Sequence, residues 1–161
     1  MHHTRLLLIL SVVLALVPGP AVNAWDDPYA DARERFLDAL DALDRGRMSR
    51  FAKLAGELKD YPLYPYLEYR ALRKRLGKAK HADVSAFIER YADQPVGHRM
   101  RRTWLYQLAK RGKWTAFLST YKGDQPTRLQ CYQLKARLKT NDTDGLVEDA
   151  LQLWLVGRSQ D

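Results

Sequence analysis

The side chains with which this chain would do chemistry are few, and none stands in a catalytic arrangement. There is no Ser in a G-x-S-x-G elbow, no H-E-x-x-H pair, no second cysteine and no Gly-rich phosphate loop. Past the N-terminal segment only His81 and His98 remain, on different predicted helix pairs, and each reads as a turn residue and not as a metal ligand. Cleaving a glycosidic bond needs a carboxylic acid held in a cleft with its pKa raised. Glu57, Glu68, Glu89 and Glu148 each lie among charged neighbours on helices and read as solvated surface carboxylates. The sequence therefore implies no catalytic residue, no metal site and no cofactor.

The elements that would carry these residues begin after a leader. His2, His3 and Arg5 precede an apolar run at residues 6–17, which Pro18, Gly19 and Pro20 break. The run falls short of the about 20 residues that span a bilayer, and Val22 and Ala24 are the small residues a signal peptidase accepts. Residues 1–24 read as a signal peptide cleaved after Ala24, which places the protein in the periplasm with no stable membrane span. Processing removes one of the 27 cations and none of the 19 acids, leaving a charge of +7. Such a charge calls for an anionic partner, and for an exported protein this means cell-wall polymer or lipid head groups, with nucleic acid not expected. Cys131 would stand in an oxidising compartment, and two readings of it stay open: a small buried apolar residue, or a thiol whose partner this chain does not contain.

Across residues 25–161 apolar residues recur at helical spacing, as in Phe36, Leu40 and Leu43, in Val84, Phe87, Ile88 and Tyr91, and in Met100, Trp104 and Leu108. No segment alternates as a strand would. Breaks at Gly46, at residues 77–82, 93–97, 123–127 and 140–145 predict about four antiparallel helix pairs, beginning near Tyr29, Leu63, His98 and Thr127. The fold class is all-α, stacked helix pairs forming a solenoid-like superhelix. A loose internal echo relates the pair around Gly77 to the pair around Gly112. The last helix shows Leu146, Ala150, Leu153 and Trp154 on one face and Val147, Leu151 and Leu155 on another. A helix apolar all round is normally buried, so the stack reads as unfinished at this end.

Two features point to contacts with a polymer. In LKDYPLYPYLEYR, residues 58–70, Pro62 and Pro65 forbid a helix through the junction, and Pro65 suits the first turn of a new one. Its tyrosines read as a corner locking one pair onto the next, or as a sugar-stacking platform through Tyr64 and Tyr66. The clusters Arg73 and Lys74, and Arg99, Arg101 and Arg102, are either solvated helix faces or an anion-binding surface.

The same motif closely resembles the N-terminal superhelical region of the soluble lytic murein transglycosylases. In order after it, RRTWLYQLAKRGKW (residues 101–114) is similar to the family's helix with a tryptophan near each end, and LQLWLVGRSQ (residues 151–160) to its helix ending in a basic-serine-glutamine step. The likeness runs from about Asp31 onward. Members of that family cleave peptidoglycan between N-acetylmuramic acid and N-acetylglucosamine without water, leaving a 1,6-anhydro end, with one glutamate as acid and base. That glutamate lies in a lysozyme-like domain at the far C-terminus and precedes serine. Here Glu34, Glu57, Glu68, Glu89 and Glu148 precede Arg, Leu, Tyr, Arg and Asp, so no catalytic residue carries over.

The resemblance implies that residues 25–161 are the first part of a U-shaped or ring-like helical scaffold. The catalytic domain would be absent and the chain inactive alone, with peptidoglycan as the partner of the whole. It also implies a cysteine partner for Cys131 shortly beyond Asp161. The rival expectation is a free-standing periplasmic adaptor that binds protein or glycan in a helical groove.

Overall fold

A computed structural model describes residues 27–123 and 125–155. The leader, its cleavage point and the basic-serine-glutamine step at residues 158–160 lie outside these. Among the described residues the chain is helical without strands: α1 (Ala30–Asp44), α2 (Met48–Gly56), α3 (Tyr64–Lys74), α4 (His81–Arg90), α5 (Pro95–Lys110), α6 (Trp114–Thr120), α7 (Thr127–Lys139) and α8 (Leu146–Trp154). No helix among them is long and apolar enough to cross a membrane.

The helices follow one another as four hairpins, although in the second of them α4 packs chiefly on α5 and only slightly on α3. Alternate helices also touch, α1 with α3, α3 with α5 and α5 with α7, so the first helices of the pairs make a continuous ladder. Three of the four pairs turn in the same way. After α1, Gly46 is left-handed (φ 72°) and Arg47 donates its backbone N–H to the Ala42 carbonyl at 2.8 Å. After α5, Gly112 (φ 65°) is followed by Lys113 donating to Leu108 at 3.0 Å. After α7, Asn141 (φ 59°) is followed by Asp142 donating to Arg137 at 2.9 Å. Each is the six-residue clasp that satisfies helix-end carbonyls, and it needs a residue tolerant of positive φ at its centre. The second pair differs: α3 runs into a 3₁₀ turn, Leu76–Lys78, with Gly77 outside the left-handed region. The internal echo expected between Gly77 and Gly112 therefore fails at the turn, and it is Gly46 that matches Gly112.

Two cores share α3. Ala39, Ala42, Leu43, Phe51, Leu58 and Leu67 form one. The larger one gathers Tyr69, Leu72, Val84, Phe87, Met100, Trp104, Phe117 and Leu129 among others. Leu67 and Tyr69 are two residues apart and so point to opposite sides of α3, which is how one helix joins both cores. The predicted corner is present: α3 starts at Tyr64 with Pro65 in its first turn. The Tyr61 ring lies 5.6 Å edge-on from Phe36 and 5.7 Å from Tyr29.

The third pair starts at Pro95, ahead of His98, because Gly97 is not a breaker. Gly97 is buried inside α5, where a β-carbon would run into the carbonyl oxygen of Tyr91. The residue is small because the chain before α5 crosses directly over it. His98 lies in the first turn of α5 and His81 opens α4, so neither histidine is a turn residue.

Glu68 is not a freely solvated carboxylate. Tyr91 donates its hydroxyl to Glu68 Oε2, and Arg90 Nη1 lies 3.3 Å from Oε1, which latches α3 to the end of α4. Cys131 is exposed, contrary to the reading of a buried thiol. The apolar α8 has no buried residue: it packs on α7, where Arg137 pairs with Asp149 of α8 at 2.5 Å and with Asp142 of the intervening loop at 3.3 Å, while Trp154 is 83% exposed.

Two outcomes follow from this packing. Gly97→Ala destabilises the chain by at least about 2 kcal/mol in urea unfolding, since backbone on one side of the new methyl cannot move without separating α4 from α5. Burial, helped by the hydrogen bond to Glu68 and by its charge, pushes the Tyr91 hydroxyl from its ordinary 10.0 up to about 12. The raised value favours the neutral phenol in the folded state, so this contribution to stability is complete below pH 10 and lost as pH rises through 12. Ultraviolet titration should show one tyrosine ionising well after the rest, and Glu68→Gln should lower its midpoint without restoring it fully, because burial remains.

Candidate functional site

The ladder of first helices carries a groove of about 380 Å³ between α1, α3 and α5. Phe36 and Leu40 of α1 form one wall, one turn apart on the same face. Tyr66, Tyr69, Arg70 and Arg73 of α3 form the floor, and Arg99 of α5 closes the far side. Helical spacing dictates this set: Tyr66, Arg70 and Arg73 are i, i+4 and i+7, so they share one stripe.

Of the residues singled out from sequence, the groove brings together Tyr66, Arg73 and Arg99. Arg73 and Arg99 are exposed, and no ion pair among the described residues ties down either guanidinium. Arg70 is already held, with both oxygens of Asp44 at 3.1 Å. The result is an open amphipathic trough with aromatic and aliphatic walls and two free guanidinium groups at its rim. Such a surface can stack a sugar face while pairing a carboxylate carried by the same chain.

The other candidates lie elsewhere. Lys74 places its ammonium on the carbonyl oxygens of Leu43 and Asp44, at the C-terminus of α1, where a cation satisfies helix-end acceptors. Tyr64 lines a separate cleft of about 290 Å³ with Glu68, Arg75 and Asp83. Burial, and then the Glu68 charge, raises the Tyr64 pKa above its ordinary value. Glu68 in that cleft already accepts from Tyr91 and Arg90, so its oxygens are fixed in an interhelical latch and are not aimed at a substrate. Arg102 is exposed on α5 outside the groove, whereas Arg101, one residue earlier, is buried on a different side of the helix. Arg99 and Arg102, one turn apart, share a side of α5 and Arg101 lies on another, so the basic run is two surfaces and not one patch.

Glu57 and Glu148 are exposed, and Glu89 pairs with Lys122 at 3.6 Å. No three His, Cys, Asp or Glu side chains converge as metal ligands among the described residues. Sequence reading missed Phe36, Leu40, Tyr69 and Arg70 as groove residues. Arg70 was within reach through its i+4 spacing from Tyr66, but the α1 wall depends on packing between elements distant in sequence.

No family model matches the chain. The chain is 31% identical over 136 residues to the soluble lytic murein transglycosylase of Salmonella typhimurium and 30% identical over the same length to that of Escherichia coli. These stretches take in 83% of this chain but 21% of each relative, so the chain spans about a fifth of the length of the proteins it matches. The fold also superposes on the crystal structure of the 70 kDa soluble lytic transglycosylase from Escherichia coli with a TM-score of 0.74 and 29% identity, covering 84% of this chain and 22% of that one. A complex of the 70 kDa soluble lytic transglycosylase with bulgecin A matches equally well. With sequence and fold agreeing over the same share of residues, this chain is homologous to a helical segment of the soluble lytic murein transglycosylases.

Proposed function

We propose that this chain is an exported N-terminal scaffold segment of a soluble lytic murein transglycosylase. It supports catalysis by a lysozyme-like domain outside residues 25–161, and it holds glycan strands in the groove of α1, α3 and α5. The observation that carries the reading is the homology over 83% of this chain with 21% of the relatives. Two features of the chain support it. The groove combines the Tyr66 ring with the unpaired guanidinium groups of Arg73 and Arg99, a composition fit for an acidic amino sugar. Finally, α8 presents Val147, Leu151, Trp154 and Leu155 to solvent, a face that a further helix pair of the stack would cover. Export to the periplasm rests on the leader and its small residues before the cleavage point.

Incubation with murein sacculi tests the reading. The chain should sediment with sacculi, and Arg73→Glu with Arg99→Glu should reduce the bound fraction several-fold, with raised salt weakening the parent in the same direction. No 1,6-anhydromuropeptide should be released. Release of that product would overturn the assignment of catalysis to another domain, and binding indifferent to both substitutions would remove the groove from it.

The uncovered α8 generates a separate expectation. The parent chain should self-associate in sedimentation velocity as its concentration rises, and Leu151→Glu with Trp154→Glu should return it to a monomer. A parent that stays monomeric and melts in one cooperative transition would favour the free-standing adaptor instead.

A further inference from the structure

Arg101 is 8% exposed, and no hydrogen bond, ion pair or ring contact holds its guanidinium among the described residues. Its stem is buried, while its nitrogens still reach water and are left without a protein partner. Arg101 does not face protein on all sides. It lines a cleft of about 250 Å³ between α4, α5 and α6, together with His81, Ser85, Glu89, Ser119 and Lys122.

The hydrogen bonds around the cleft decide which groups are available to a ligand. Trp104 donates its indole N–H to His81 Nδ1 at 3.1 Å. In the neutral ring this assigns the remaining proton to Nε2, which lies 3.5 Å from Ser85 Oγ, so the Ser85 hydroxyl proton is left to point into the cleft. Ser119 and Thr120 spend their protons on the Ala116 carbonyl, at 3.0 and 2.7 Å, and are not donors to a guest. The free donors are therefore the Arg101 fork and the Ser85 hydroxyl, with Lys122 at the rim tied to Glu89 at 3.6 Å.

Charge and size narrow the guest. With Lys122 and Glu89 cancelling and His81 neutral, the cleft carries one net positive charge, which a monoanion neutralises and a dianion exceeds. A planar two-oxygen acceptor matches the guanidinium fork. The volume falls below the about 300 Å³ at which ligand pockets usually begin, so the cleft admits an end group and not a disaccharide. The geometry points to a carboxylate-binding subsite, in which Arg101 pairs both oxygens of a monocarboxylate and Ser85 donates to one of them. Its sources would be the lactyl ether of an acidic amino sugar or the chain end of a short peptide, both present in murein. The assignment rests on the proposed function only for which polymer supplies the group.

The test follows amide and arginine side-chain resonances of the isotopically labelled chain. It is titrated with N-acetylmuramic acid against N-acetylglucosamine, and with N-acetyl-alanyl-alanine against its amide. Shifts at Arg101 and Ser85 are expected with the carboxylates and not with their neutral counterparts, and whichever acid binds more tightly identifies the source. Arg101→Met should weaken binding about tenfold or more while melting no lower than the parent, since it keeps the stem and removes an unpaired charge. Lys122→Gln, at the exposed rim, should weaken it less and serves if Arg101→Met fails to fold. Equal shifts from acid and amide, shifts that survive Arg101→Met, or tighter binding of inorganic phosphate would each overturn the subsite. Because these ligands are small and soluble, a chain that loses sacculus binding at the groove yet keeps the carboxylate response retains this assignment.

Discussion

The stack hinges on α3 being asked to bury both sides of itself. Leu67 faces the core made with α1 and α2, Tyr69 and Leu72 face the core made with α4 and α5, and the whole helix has only eleven residues. That double duty is possible because Pro62 and Pro65 fix where the helix begins, so its rotation about its own axis is set before either core closes. The remaining polar stripe of α3, Tyr66, Arg70 and Arg73, then has one place to go, the surface between α1 and α5. The groove is thus a by-product of how α3 is clamped.

The same logic says what could be read from the sequence. Helical spacing and punctuation placed the pairs well, since apolar residues at i, i+3 and i+4 and a glycine or proline at a turn are local properties. Gly97 misled because a glycine that ends a helix and a glycine that lets a crossing chain approach look identical in a sequence; only the Tyr91 carbonyl beside it distinguishes them. Likewise, neighbouring arginines at 99, 101 and 102 form a run on paper, but 100° of rotation per residue sends Arg99 to the groove and Arg101 into a cleft. Glu68 was read as solvated for want of its partner Tyr91, which is distant in sequence. The homology extends this: about 30% identity is enough to keep a backbone, while leaving surface side chains to be placed one at a time.

Polar groups between the helices serve two ends. Arg70 with Asp44, Lys74 on the end of α1, and Glu68 with Tyr91 and Arg90 all join elements through complete partnerships. Arg73, Arg99 and Arg101 make no such bond among the described residues, and neither do other cations such as Arg102 and Lys110. What sets the three apart from these is their place, since each lines a groove or cleft between helices.

The clasp repeated at Gly46, Gly112 and Asn141 carries a mechanical consequence. Each one ties the sixth residue back to the first and fixes the angle within its hairpin, so three of the four pairs behave as stiff clips. The junctions α4 on α5 and α6 on α7 are packed as closely as the clips themselves, so the most yielding place is the second pair, where a 3₁₀ turn replaces the clasp and α3 meets α4 through few residues. A pull along such a stack would be taken up there first, as at the one soft leaf of a spring, and the groove floored by α3 would change width with it.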